Sequence, residues 1–195
     1  MIDPLALSLS ALALSALIGC PHADLTGRDA APMTAAAYAR AVQDATREAR
    51  RYDGVETALL LRAALDTPAF VDAREAQRAW LLLSTPDEAR AALAAARQEI
   101  AAHHRLLVAA SSDQDSRPAL SFDHDPWRLR LLGSDGPCAP VNLTERRPTD
   151  LDRALYPWIT QWNNVWDATF DRDCGGSPLR LQVAGPRASA ELVWE

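Results

Sequence analysis

The sequence predicts an α+β protein in which a small N-terminal antiparallel helical subdomain precedes a mainly antiparallel β-sandwich. Three observations carry that expectation. Two Thr-Pro pairs, Thr67-Pro68 and Thr85-Pro86, punctuate a first half rich in Ala and Leu at helical spacing. Beyond about residue 104, apolar side chains recur at every second position in four separate segments. Finally, 195 residues with 48% apolar and 24% charged side chains suit one mid-sized domain or two small ones, and exclude a disordered or many-span chain.

Residues 34–102 read as helical. Thr34 is placed to cap a helix running to Arg51, Asp53-Gly54 interrupts it, and residues 55–65 read as a second helix with Leu59 and Ala63 on its apolar side. At Thr67 the hydroxyl accepts from amides of the next turn, while Pro68 takes the first helical position, where its missing N–H costs nothing. Ser84-Thr85-Pro86-Asp87-Glu88 repeats the arrangement and adds Glu88 at N3, a capping box. That helix runs through Ala92, Leu93 and Ala96 to about Ala102, and the short turns make the helices antiparallel neighbours.

Residues 103–195 read as a sandwich. Arg105 to Ala110 forms a strand, followed by four alternating segments: Trp127-Leu129-Leu131, Val141-Leu143, Leu179-Leu181-Val183 and Ala190-Leu192-Trp194. Ser134-Asp135-Gly136 and Ala184-Gly185-Pro186 supply hairpin connections. The segment 150–170 admits either one amphipathic helix or a helix followed by a strand. Pro157 and the β-branched and aromatic residues at its end favour a helix near 150–156 and a strand from about 163 to 171. In general shape such a sandwich resembles immunoglobulin-like and C2-like modules.

The leader is the most informative stretch. Leu5 to Ile18 is an apolar run of about 14 residues, too short for the ~30 Å hydrocarbon core of a bilayer, and reads as the h-region of a signal peptide over residues 1–19. It ends in Leu17-Ile18-Gly19-Cys20, which resembles the lipobox of bacterial lipoprotein precursors, although Met1-Ile2-Asp3-Pro4 lacks the basic residues with which such leaders begin. The resemblance implies that the Cys20 thiol is lipidated, that cleavage makes it the first mature residue, and that the protein is membrane-anchored in a bacterial cell envelope. Pro21 is not the aspartate that retains many lipoproteins at the inner membrane, which favours the outer membrane. Residues 20–33 are then a lipidated tether without apolar period.

With Cys20 assigned to lipid, Cys138 and Cys174 remain, an even number in an oxidising compartment. Strands alternating in direction bring both to one end of the sheet, so a disulfide is expected, with a loop-closure contribution of roughly 3 to 4 kcal/mol.

All 20 basic residues are arginine and about one fifth of the chain is alanine, the mark of a GC-rich coding sequence, so arginine clusters carry little weight as nucleic-acid footprints. A net charge of −6 with interspersed signs gives no electrostatic case for nucleic acid. No Gly-x-Ser-x-Gly elbow or phosphate-cradling loop occurs, and no cofactor is implied. The expected role is therefore a non-catalytic binding or structural component, with the membrane as first partner through its lipid and an envelope protein as candidate second. One alternative is a periplasmic metal-dependent hydrolase using His103, His124, Asp123 and Asp125. Another is a calcium-dependent adhesive module using Asp135, Asp171 and Asp173. The six tryptophans, five of them after residue 126, are read as core and helix-to-sheet packing.

Overall fold

Thr34 opens the first element: its hydroxyl oxygen accepts from the Ala37 N–H at 3.1 Å, and helix α1 (Ala35–Ala45) follows. The computed structural model describes residues 33–111, 121–122, 126–133, 136–161 and 163–195. The helix does not continue to Arg51. Thr46–Asp53 is instead strand β1, and a two-residue turn at Gly54-Val55 returns the chain as β2 (Glu56–Leu65). Gly54 has φ 63°, the positive φ that a type II′ hairpin requires at its first loop position.

The helix expected over residues 55–65 is thus a strand, and residues 34–102 are not an all-helical body. β2 pairs with β3 (His103–Ser111) from Leu60↔Ser111 to Leu65↔Leu106, so a boundary at 102/103 would cut through a sheet. The physical reason is burial on both faces. Leu59, Leu61 and Ala63 are fully buried on one side of β2, and Ala58 and Ala64 are buried on the other. A strand covered on both sides is uniformly apolar, so its period of two is hidden and a helical stripe fits it equally well.

Helices α2 (Pro68–Leu81) and α3 (Pro86–Ala102) begin where the Thr-Pro pairs place them. Thr67 Oγ1 accepts from the Phe70 N–H at 3.2 Å. At α3 the Thr85 N–H donates to Glu88 Oε2 at 2.8 Å and the Glu88 N–H donates to Thr85 Oγ1 at 3.3 Å, both halves of a capping box. Next come β4 (Arg128–Gly133), β5 (Gly136–Cys138) and β6 (Asn142–Arg146), then α4 (Asp150–Leu155) and β7 (Asn164–Asp171), the helix-then-strand reading of that segment. β8 (Leu179–Ala184) and β9 (Ser189–Trp194) close the chain.

Two antiparallel sheets result, in the orders β1-β2-β3-β7-β6 and β5-β4-β8-β9. Leu61, Val108, Trp166 and Phe170 from the first share one apolar core with Leu131, Leu181, Val183 and Leu192 from the second. Trp127, Trp166 and Trp194 all lie in that core. The first sheet's other face is covered by α1, α2 and α4 through Tyr38, Val42, Phe70, Ala73 and Leu155, which pack on Ala64, Leu107, Ala109 and Val165.

Where β1 and β9 approach as sheet edges, side chains replace a backbone ladder. Arg47 Nε donates to the Val193 carbonyl at 2.9 Å and Arg51 Nε to the Ser189 carbonyl at 3.0 Å. The Trp194 indole N–H donates to the Ala45 carbonyl at 2.7 Å. The two arginine contacts occupy β9 edge carbonyls that would otherwise template pairing with another chain.

Strand geometry in β2 makes a direct prediction. Leu61→Ala should cost about 2 to 5 kcal/mol by urea denaturation, as for any fully buried leucine. Leu60→Ala, one residue away but only half-buried, should cost less than half as much. Equal costs would contradict the alternation.

Candidate functional site

The β7–β8 connection, β5 and the start of β3 meet at one end of the molecule. Cys138 and Cys174, 36 residues apart in sequence, are brought to disulfide distance there, with Cα atoms 5.9 Å apart. The approach depends on small residues: a Cβ on Gly133 would lie 2.8 Å from the Gly175 backbone nitrogen. His104 packs beneath this loop. Its Nε2 lies 3.2 Å from the Arg172 carbonyl oxygen, and Arg172 Nη1 lies 3.2 Å from its Nδ1. Because the guanidinium only donates, Nδ1 must accept, leaving the proton on Nε2 to reach the carbonyl. Burial, together with the Arg172 charge, holds the His104 pKa below its usual 6.5.

The adjacent His103 projects to the opposite side of β3, and its Nδ1 is 4.0 Å from Asp171 Oδ1. Among the described residues, this pair is all that comes together from the suggested metal ligands. Asp173 lies in the Cys174 loop, where its carbonyl accepts from the Gly175 N–H. Cys20, Asp123, His124, Asp125 and Asp135 lie outside the described residues. Among the described residues, no group of three His, Cys, Asp or Glu side chains is arranged to hold a metal ion.

Among the described residues, the buried charged side chains Asp66 and Glu75 lie elsewhere, beside a cavity of about 430 Å³ between α2, α3, α4 and the first sheet. It exists because α3 stands off the sheet. Only Ile100 of its 17 residues is buried, and Arg97 holds α3 to α2 by two bonds to Asp72 at 2.8 and 2.7 Å. Glu99 of α3 pairs with Arg105 of β3 at the cavity's edge. Ala92, Ala95 and Ala96 form the α3 wall, and Leu106, Leu107 and Ala168 form the floor.

Two ion clusters face this space. On the α2 side Arg74 contacts Asp66 at 2.5 Å and Glu75 at 3.1 Å, and donates to the Tyr156 hydroxyl at 3.2 Å. Asp66 and Glu75 are nearly inaccessible. Burial pushes the Tyr156 phenol up to about 12, so it stays protonated. Arg74 uses Nε and Nη1 in these contacts, leaving Nη2 without an acceptor among the described residues, and Arg78 reaches Glu75 only at 3.4 Å.

On the opposite side Arg146 forks onto Asp152 at 2.6 and 2.9 Å, and onto Asp167 at 2.5 and 3.4 Å. Asp152 also accepts from the Thr149 N–H at 2.7 Å, as the N3 residue of the capping box that starts α4. Burial would raise the Asp152 pKa, but the bonds from Arg146 and Thr149 outweigh it and the carboxyl titrates below its usual range. Five carboxylates and four guanidiniums line the cavity, leaving it close to neutral. Sequence reasoning missed this site. Its only local trace is Thr149 three residues before Asp152, since Arg74, Arg146 and Asp167 meet only through the folding of separate elements.

Two outcomes follow. Since the folded His104 pKa lies below the unfolded one, the native state resists protonation, and stability should fall as pH drops below about 6.5. The urea midpoint should show that fall in the native chain and less of it in His104→Gln. Cys138→Ser with Cys174→Ser should lose roughly 3 to 4 kcal/mol relative to the oxidised protein, and reductant should lower the midpoint only in the parent.

Compared with known proteins, the chain matches no protein-family model, no curated protein and no solved structure.

Proposed function

We propose that this is a lipid-anchored protein of a bacterial envelope, held by an acylated Cys20, whose folded part binds a small zwitterionic ligand in the charged cavity. The anchor reading is supported by the Leu17-Ile18-Gly19-Cys20 sequence, and by two further cysteines at disulfide distance, which suits an oxidising compartment. In this reading the two sheets are a sandwich of immunoglobulin-like or C2-like general shape, supported by their shared core, with a helical layer added on one side.

The observation that carries the binding proposal is the balance of charge around the cavity. Burying ions is costly unless each is paired, and a ligand of one sign would upset a lining that is already close to neutral. A ligand carrying both signs does not. Its carboxylate meets the spare donors of Arg74 and Arg78, and its ammonium meets the carboxylate oxygens of Asp167, each of which accepts more than one bond.

Intact mass of the membrane-extracted chain, before and after reductive alkylation, tests the anchor. Cleavage before Cys20 with added acyl mass is expected, and an unprocessed chain with three free thiols would overturn it. For the cavity, glycine, diglycine and triglycine vary the distance between charges at constant chemistry. At least one should raise the melting temperature at millimolar concentration, and Arg78→Gln, which removes one of the donors facing the ligand carboxylate, should reduce the shift. No shift with any of them, or an equal shift with acetate alone, would overturn the zwitterion assignment.

A further inference from the structure

Helix α2 ends in a way that its own stability does not explain. The Ser84 N–H bonds to the Ala79 carbonyl at 2.9 Å and the Leu83 N–H to the Trp80 carbonyl at 3.3 Å, the paired bonds of a Schellman cap. Its left-handed position is normally glycine, yet here it is Leu83 at φ 53°, a conformation that costs a leucine roughly 1 to 2 kcal/mol. Nor is the side chain used inside the fold. Leu83 is 75% exposed, Leu82 53% and Trp80 47%, so three large apolar groups project within four consecutive residues. Grouped at one helix end, they form an apolar cluster rather than scattered single exposures.

What covers it follows from where the chain enters the fold. α1 ends at Ala45, directly before Thr46, which pairs with Ala64 close to the start of α2. Two turns away the helices are still side by side at α4: Tyr38 donates to the Leu155 carbonyl at 2.8 Å, and Arg74 to the Tyr156 hydroxyl. α1 and α2 therefore run antiparallel, and Met33 and Leu81, at their far ends, pack on the same core cluster. The entry of the chain and the apolar tip lie at the same end.

We propose that Trp80, Leu82 and Leu83 dock into the headgroup–acyl boundary of the bilayer that holds Cys20. The inference rests on the lipid-anchor reading above. Residues 21–32 span at most ~43 Å when fully extended, so an acylated Cys20 keeps the tip within reach of the surface at high effective concentration, and a weak interfacial affinity suffices. Tryptophan suits that depth, with its ring among acyl chains and its N–H among headgroups. Among the described residues, nearby charges form no basic cluster: Arg90 pairs with Asp87, and Glu88 serves the α3 cap. Binding is therefore apolar in origin and does not require anionic lipid.

The test uses the full processed chain reconstituted in phosphatidylcholine vesicles with brominated acyl chains, which quench tryptophan by contact. Quenching is expected in the parent, lost in Trp80→Phe and lowered in Leu83→Gly. That last variant relieves the backbone strain and should melt higher than the parent, so its lowered quenching does not reflect misfolding. Intact mass on the same sample separates the two ideas. An acylated but unquenched protein overturns the tip proposal while the anchor stands, and an unacylated Cys20 overturns both. Concentration-dependent self-association abolished by Leu83→Gly, without quenching, would assign the tip to a second copy of the chain instead.

Discussion

Burial of the β1-β2-β3-β7-β6 sheet on both faces is the constraint on which the rest of the molecule depends. One face supplies half of the inter-sheet core through Leu61, Val108, Trp166 and Phe170, and the other receives α1, α2 and α4. A sheet covered on both sides needs central strands without a polar face, and β2 and β3 meet that need with nearly unbroken runs of Leu, Val and Ala. Among the described residues, nothing covers the four-stranded sheet in this way. Its β8 and β9 alternate strictly between buried and less buried positions, as a half-solvated antiparallel sheet should.

Arginine, as the sole strong base, takes up several structural duties. At the sheet edges Arg47 and Arg51 cap carbonyls of β9. Around the cavity Arg74 and Arg146 each hold two carboxylates, using the planar fork that a lysine lacks. These clusters keep charged groups inside the helical layer because each ion has a partner of opposite sign, and α3, tied down chiefly by ion pairs at Asp72 and Arg105, leaves the space beside them open. The same half-detached hairpin carries the apolar tip. The cavity and the tip are thus two consequences of one feature: a helical pair packed on the sheet mainly through α2, with α3 reaching it only at its C-terminal end through Ile100 and the Glu99–Arg105 pair.

Legibility followed the physics of each element. Caps were readable because they are local: a hydroxyl at Thr67 or Thr85 bonds to an amide three residues on. β4, β8 and β9 were readable because one wet face imposes a period of two. The approach of Cys138 to Cys174 was readable through strand direction, although Cys138 lies on an edge strand of the second sheet. The β1–β2 hairpin was not. Residues 46–53 hold charges that reach across to β9, residues 58–65 lack a polar face, and both patterns fit a helix equally well.

By itself the sequence determined where the threonine-capped helices begin, which strands have a wet face and that the class is α+β, because those properties depend on neighbours a few residues away. Only the tertiary structure decided that residues 46–65 join the main sheet, that His103 and His104 part to opposite sides of β3, and that Arg74, Arg146 and Asp167 surround one cavity. These outcomes rest on contacts between residues up to about a hundred positions apart, where side-chain chemistry is visible in the sequence but proximity is not.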